Sequence, residues 1–427
     1  MKILQWRILN LSSLHSGIIV TMSKIAVSTP KGFRDFLGAE ARLRQNLISK
    51  FVATFERFGF EPLLTPALEY AEVLKGKYGE EEKLIYEFED RGGRQVALRY
   101  DQTVPLARVV AQYPTLTKPY KRYQIQPVWR AESPQKGRYR EFLQVDIDTI
   151  GTTSPLSDAE IIACVTATLE SLNFDNFTIK INDREIFAGL PNSVISTIDK
   201  LPKIGKEGVV ALLKNQSYSE FQANDILKKV TESVPTEKIN KLFELLEKMG
   251  VNNSRYAFDP SLARGLDYYT GLIFEVEVEG YSGGSVGGGG RYDRLIGVFN
   301  ESSIPAVGFS FGFDRVIEAL TEQKKTASYS GTKVLVTIFN EDLLEKSLQA
   351  TTFLRNSGAN TEIYLDTDAK LDKQLKYADN KNIPFALIVG PAEVEKDLVN
   401  IKNLKTTEQK QIKIKDVISL IDAASWS

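Results

Sequence analysis
Between Arg122 and Gly151 the chain reads RYQIQPVWRAESPQKGRYREFLQVDIDTIG. Two alternating segments, Arg122 to Glu132 and Glu141 to Gly151, flank the basic loop Ser133 to Arg140, and this pattern predicts a β-hairpin. Successive strand side chains face opposite ways. Leu143, Val145 and Ile147 therefore share one face of the second strand, and Gln144, Asp146 and Asp148 share the other. The first segment places Gln124, Gln126, Arg130 and Glu132 on one face as well. Trp129, Phe142 and the aliphatic neighbours argue that this polar patch is partly buried, where charges need partners or a ligand.

Working outward, alternation runs from Arg94 to Gly151 and again from Leu272 to Glu279, which predicts an antiparallel sheet. Arg99, Asp101 and Thr103 repeat the period-two polar pattern, and a carboxylate there can receive an ammonium group. The segment Ala263 to Gly271 brings Arg264 and the adjacent tyrosines Tyr268 and Tyr269 to the start of a strand. The run Gly287 to Gly290 lets backbone approach a planar or phosphorylated ligand, since glycine has no Cβ in the way. It matches neither the dinucleotide-binding glycine pattern nor the phosphate loop. From Pro305 to Arg315 the pattern is strand, turn and helix start, with a further arginine.

A chain of 427 residues suggests about three domains. Leu43, Leu47, Phe51, Phe55 and Phe58 recur at helical spacing and Gly59 stops the helix. The following Phe60 to Pro66 reads as a short strand held by its prolines to an edge or a strand end. Residues from about 190 to 252, rich in Lys, Glu and Leu, read as a helical insertion in a catalytic unit spanning 23–325. Residues 331–427 alternate short apolar runs with helical stretches, the pattern of a small α/β domain. Residues 1–22 read as a leader or an over-long start, with Met22 opening the working chain. The single cysteine, Cys164, lies in an apolar run and reads as core, and the single histidine, His15, lies in the leader. Intramolecular disulfides and a zinc site of His and Cys are therefore excluded. The net charge of −1 requires any nucleic-acid contact to come from local basic patches. No apolar run is long enough to span a bilayer.

Together these segments resemble the class II aminoacyl-tRNA synthetases and, within them, the histidyl-tRNA synthetase family. The helix and strand ending at Pro66 resemble the first class motif, Tyr123 to Gly151 the second and Pro305 to Arg315 the third. Arg264 to Gly271, with Gly137 to Phe142 in the loop, resembles the histidine-specific signature. Asp101-Gln102-Thr103 and Asp148 depart from the commonest bacterial pattern, Glu-Gly-Thr and Glu, but keep the carboxylates.

The resemblance implies an α+β fold: a class II antiparallel sheet flanked by helices, a helical insertion and a C-terminal anticodon-binding α/β domain. It implies activation of L-histidine with ATP and Mg²⁺, then transfer to tRNA(His), by a cytoplasmic homodimer not attached to a membrane, or an organellar one if residues 1–22 are a genuine presequence. Arg130 and Arg264 are the expected catalytic residues; Arg130, Glu132 and Arg315 bind ATP. Asp101, Thr103, Gln144, Asp148, Arg264, Tyr268 and Tyr269 take histidine. Gln135, Lys136, Arg138 and Arg140 form the acceptor loop, and Glu393, Lys402 and Gln409 belong to the anticodon domain. The metal travels with ATP and is not fixed by His or Cys. Two alternatives share the fold: a non-catalytic regulatory subunit of ATP phosphoribosyltransferase, and a class II synthetase for threonine, proline or glycine. Arg130, Arg264 and Arg315 with the C-terminal domain count against the first, and the tyrosine pair against the second.

Overall fold
The computed structural model describes residues 27–135, 137–263, 268–300, 303–325 and 331–423. Helix α1 (Gly38–Arg57) buries Leu47, Phe51 and Phe55, four residues apart and so on one stripe. It ends where Gly59 adopts a left-handed φ of 74°. The chain leaves it as β1 (Glu61–Pro62), which pairs in parallel with the next long strand and forms one edge of the main sheet. The expected edge position of this proline strand is met, because proline has no N–H to give a further neighbour. A small antiparallel sheet follows: β2 (Leu68–Tyr70), β3 (Glu87–Glu89) and β4 (Gln95–Leu98), with helix α2 (Ala71–Leu74) beside it.

Sequence alternation predicts strand from Arg94 onward, and here the structure differs. Thr103–Gln112 is a helix, α3, with Val104, Leu106, Ala107 and Val110 buried. Asp101 Oδ1 accepts the Val104 N–H at 3.1 Å, satisfying one of the donors that a first helical turn leaves unpaired. A cap of this kind and a strand with alternating polarity look alike over so few residues.

The expected hairpin is present as β5 (Tyr120–Trp129) and β6 (Glu141–Ile150), in register from Tyr120 opposite Ile150 to Trp129 opposite Glu141. Then come α4 (Pro155–Ser171), β7 (Phe177–Asp183) and four helices, α5 (Asn192–Ile198), α6 (Leu201–Asn215), α7 (Glu220–Thr231) and α8 (Glu237–Lys248). The sheet resumes with β8 (Tyr256–Phe258), β9 (Leu272–Val278) and β10 (Gly287–Arg291). Short α9 (Gly297–Asn300), strand β11 (Ala306–Gly312) and helix α10 (Phe313–Glu322) complete the unit. The eight strands run in the order β1-β5-β6-β11-β10-β9-β7-β8, antiparallel except for the parallel pairs at the two edges. Helices α5 to α7 build their own core around Val194, Ile198, Val209, Leu213 and Leu227. Helix α8 does not join it: Ile239, Leu242 and Leu246 pack with α4 in the main core, alongside Phe51, Ile162 and Phe274.

The C-terminal part contains β12 (Val334–Val336), α11 (Leu344–Asn356), β13 (Thr361–Ile363), α12 (Leu371–Asn380), β14 (Phe385–Ile388), α13 (Pro391–Glu395), β15 (Val399–Asn403), β16 (Gln409–Ile412) and α14 (Val417–Asp422). Its sheet order is β13-β12-β14-β15-β16, parallel over the first three strands and antiparallel over the last two. The lysine-rich stretch after Val394 thus contains two strands, and in the first of them the alternate residues Val399, Ile401 and Asn403 are buried while the lysine between them is not.

Because Leu242 is fully buried between α4 and the sheet, Leu242→Ala is expected to lower unfolding stability by about 3 kcal/mol. Urea denaturation measures it, and a loss well under 1 kcal/mol would show that α8 is peripheral to the core.

Candidate active site
The site grows from the polar face of β6. Each of its three residues faces one neighbour on either side: Gln144 lies between Gln126 and Gly312, Asp146 between Gln124 and Ser310, and Asp148 between Arg122 and Gly308. All three are nearly inaccessible to water. Glycine at 308 is required by space. A Cβ there would lie 1.9 Å from Asp148 Oδ1 and 2.8 Å from the Ile147 carbonyl oxygen. Gln102, on the turn into α3, donates to the Gln126 and Gln144 carbonyl oxygens at 2.8 and 3.0 Å and ties that turn to the hairpin.

Asp148 has partners already. Arg122 Nη2 lies 2.7 Å from Oδ2, and the Tyr292 hydroxyl donates a short hydrogen bond to Oδ1. Burial raises the carboxyl above its usual value, and the Arg122 charge and the Tyr292 hydrogen bond oppose that rise. Asp146 accepts from Gln144 Nε2 on both oxygens, at 3.1 and 2.8 Å. Desolvation pushes Asp146 up to about 7, with Arg122 opposing and Asp148 adding to the shift. Across the site Asp101 accepts from the Tyr78 hydroxyl at 2.8 Å, and burial raises it too.

Two adjoining cavities open over this floor. The inner one, about 340 Å³, is lined by Asp101, Thr103, Gln144, Asp148, Tyr268 and Tyr269 among others. The outer one, about 270 Å³, is lined by Glu132, Phe142, Glu275, Gly287 and Arg315 among others. Arg130, Arg138, Glu81, Gln144, Gly288 and Ser310 border both. Arg130 therefore stands at the junction. Its guanidinium lies over the Tyr100 ring at 4.3 Å and donates to the Tyr100 carbonyl oxygen at 3.3 Å. Burial works against its charge, but Tyr100, Glu81, Asp101 and Glu132 outweigh it and hold the group above its usual value. Arg315 is set by donation to the Ser285 carbonyl oxygen at 2.9 Å. Its neighbour Asp314 anchors the start of α10 through Arg34 and Arg44, at 2.9 and 2.7 Å.

Eight of the sequence candidates thus meet at the inner cavity, namely Asp101, Thr103, Arg130, Arg138, Gln144, Asp148, Tyr268 and Tyr269, and Glu132 and Arg315 join Arg130 and Arg138 at the outer one. Arg264 and Lys136 lie outside the described residues. Arg99 turns away: its guanidinium donates to the Thr65, Pro66 and Pro127 carbonyl oxygens beneath the hairpin. In the loop, Gln135 and Arg138 pair backbone to backbone, and Arg138 reaches Glu132 at 3.5 Å. Arg140 folds back, donating to the Glu132 carbonyl oxygen, while its N–H donates to the Gly32 carbonyl oxygen. In the C-terminal sheet Lys402 and Gln409 are register partners, and Gln411 on β16 donates to Glu393 at 2.9 Å.

Sequence reasoning assigned no role to Arg122, Asp146, Tyr78, Glu81, Glu275 or Tyr292. Period two placed Asp146 between two assigned residues and so carried a signal. Tyr292 follows the glycine run by two residues, whereas nothing local distinguished Tyr78 or Glu81.

An antiparallel sheet carrying this hairpin, a glycine strand beside it and a strand leading to an arginine at a helix start define a class II aminoacyl-tRNA synthetase. Its sequence matches the profile for histidyl-tRNA synthetase over residues 32–233 and 209–316, and that for an anticodon binding domain over 333–424. It is 40% identical to a histidine–tRNA ligase of Cytophaga hutchinsonii, over 92% of this chain and 98% of that one. It is 38% identical to a histidine–tRNA ligase of Aeropyrum pernix, over 92% and 97% respectively. Among solved structures, the histidyl-tRNA synthetase of Nostoc sp. PCC 7120 superposes with a TM-score of 0.82 at 31% identity, covering 93% of this chain and 99% of that one. The chain belongs to the histidyl-tRNA synthetase family, and its activity is the joining of histidine to tRNA, driven by ATP.

Because Gly308 cedes its side-chain volume to Asp148, Gly308→Ala is expected to cost about 1–3 kcal/mol locally, read as a rise in histidine KM with ATP KM little changed. An unaltered histidine KM would show that the carboxylate works equally well elsewhere.

Proposed function
We propose that histidine occupies the inner cavity and ATP the outer, with the α-phosphoryl group at their shared border beside Arg130. The arrangement of two cavities with one arginine between them carries this reading. In the first step a histidine carboxylate oxygen bonds to the α-phosphorus and the bond to the β-phosphate bridging oxygen breaks, releasing pyrophosphate. The nucleophile is already ionised, so no base is needed and the task is to orient two anions and neutralise developing charge. Arg130 and Arg264 meet the α-phosphoryl oxygens and Arg315 the γ-phosphate; fixed guanidinium groups do this without reorganising. In the second step a terminal ribose hydroxyl of tRNA(His) attacks the carbonyl carbon and AMP leaves.

Asp101, Thr103 and Gln144 receive the α-ammonium, and Asp148 and Tyr269 the imidazole, with Tyr268 as wall. Arg122 and Tyr292 already occupy Asp148, so the imidazole takes one of its remaining lone pairs rather than a vacant carboxylate. Glu132 and Glu275 on the outer cavity suit a magnesium ion carried by ATP, since that ion favours oxygen ligands. The ion supplies charge neutralisation on the leaving phosphates. The loop residues Gln135, Lys136, Arg138 and Arg140 serve the tRNA acceptor end, and Glu393, Lys402 and Gln409 belong to the part that meets the anticodon. We place the reaction in the cytoplasm, as the family resemblance implies. Among the described residues no helix is long and apolar enough to cross a membrane.

The reading includes a homodimer. Leu64, Leu68, Tyr70, Phe88 and Tyr113 are exposed around β1 and the small sheet, and a symmetric copy would cover them. Sedimentation should give a dimer at micromolar concentration; an active monomer would refute the pairing.

Pyrophosphate exchange with all twenty amino acids should respond to histidine alone and require ATP with magnesium; exchange with threonine or proline would overturn the assignment. Arg264→Ala should slow adenylate formation in rapid quench by about a hundredfold, roughly 3 kcal/mol, with histidine affinity nearly intact. An unchanged single-turnover rate would make Arg264 structural.

A further inference from the structure
Arg122 is a charged group beneath the inner cavity that no step of the reaction uses. It has no accessible surface, and it does not line either cavity. None of its side-chain nitrogens meets a hydrogen-bond acceptor at good angle. What surrounds it instead is charge: Asp148 Oδ2 at 2.7 Å and Asp146 Oδ2 at 3.7 Å, both carboxylates buried and both facing the cavity. A buried guanidinium is costly unless counter-charges compensate it. Two buried carboxylates side by side are costly for the same reason.

The three groups are linked to the two ends of the substrate. Asp148 is the proposed acceptor for the imidazole. Asp146 accepts from Gln144 Nε2 on both oxygens, so the remaining polar end of that amide, its carbonyl oxygen, is the one available to a ligand in the cavity that Gln144 lines. That oxygen is the acceptor an ammonium group needs. We infer that Arg122 is a positioning residue for histidine recognition: by balancing Asp146 and Asp148 it favours the ionised form of both carboxylates and keeps them aimed, one at the imidazole and one, through Gln144, at the ammonium. The inference rests on the assignment of histidine to the inner cavity.

The groups that face these carboxylates come from several elements. Arg122 lies on β5, Tyr292 follows β10, and Ser310 on β11 is the register partner of Asp146. Tyr268 acts electrostatically on Tyr292, and Asp101 with Tyr78 stands across the cavity and also feels Arg122. Among the described residues Arg122 is the only cation in contact with Asp146 and Asp148. Asp146 sits near neutrality even with Arg122 present. A carboxyl raised in this way is protonated below its shifted value and ionised above it, so loss of the cation raises both acids further and leaves them protonated at neutral pH.

The test is steady-state exchange over pH 6.5–9 on the full-length chain, with thermal melts and ATP KM as controls. Arg122→Leu should raise histidine KM by about tenfold to a hundredfold at pH 7, leave ATP KM within about twofold, and show histidine KM falling as pH rises. The wild-type profile should be flatter over that range. Arg122→Lys should fall between, keeping charge without the planar fork. Arg122→Leu with Asp146→Asn removes one charge of each sign but leaves Asp148 without its cation, so histidine KM should stay raised and keep its fall with pH. Equal weakening for histidine and ATP, no pH trend, or full recovery in the double variant would overturn the inference. Asp148→Asn separates the two readings: if it leaves histidine KM unchanged, the assignment of the imidazole fails. If it weakens histidine and Arg122→Leu does not, the positioning role alone fails.

Discussion
Arg122 lies in the middle of the central hairpin with none of its surface in water, and a charge so placed costs several kcal/mol unless fixed counter-charges surround it. Those counter-charges, Asp146 and Asp148, belong to the facing strand, so the ion contacts exist only when β5 and β6 pair in one register. A slip by one residue would turn both carboxylates to the opposite face, where Val145 and Ile147 meet α1 and α4 in the apolar core. The same contacts therefore pin the sheet and hold a polar floor in place. The partners of that floor extend outward through Tyr292 and Gln144 to the walls of the inner cavity.

The second requirement is space. Backbone must come close to backbone where β6, β11 and β10 meet, and glycine answers it twice over. Gly308 gives its volume to Asp148, and a Cβ on Gly289 would lie 2.0 Å from the Gly308 carbonyl oxygen. The glycine run is thus first a packing necessity between strands and only then a route for ligand approach. Gly288 borders both cavities, beside Arg130 at their junction. Arg130 keeps its charge there because Tyr100, Glu81, Asp101 and Glu132 surround it, although burial alone would weaken it.

Much of this was legible from period and residue type. Alternation from Arg122 to Gly151 identified the hairpin and the buried polar face; the leucines and phenylalanines of α1 declared their stripe; the signature tyrosines led to the inner cavity. Alternation failed at α3, because a carboxylate two residues before Thr103 reads equally as a strand residue and as a helix cap. Arg99 failed for a related reason: polar period two cannot say which face a strand turns inward, and this guanidinium went to three carbonyl oxygens beneath the hairpin. Tyr78 and Glu81 carried no local signal, since their roles depend on Asp101 and Tyr100, about twenty residues away in sequence.

The sequence by itself determined the class of fold, the family and a set of the polar side chains that line the two cavities, since those follow from local periodicity and from short motifs whose residues act near one another in the chain. Only the tertiary structure decided how those side chains are charged and aimed. Asp148 is shared between Arg122 and Tyr292, Asp146 governs Gln144, α8 packs with the main core and Arg140 folds back on Gly32. Each of these outcomes depends on groups brought together across the sheet, where desolvation and ion contacts act over a few ångströms regardless of separation along the chain.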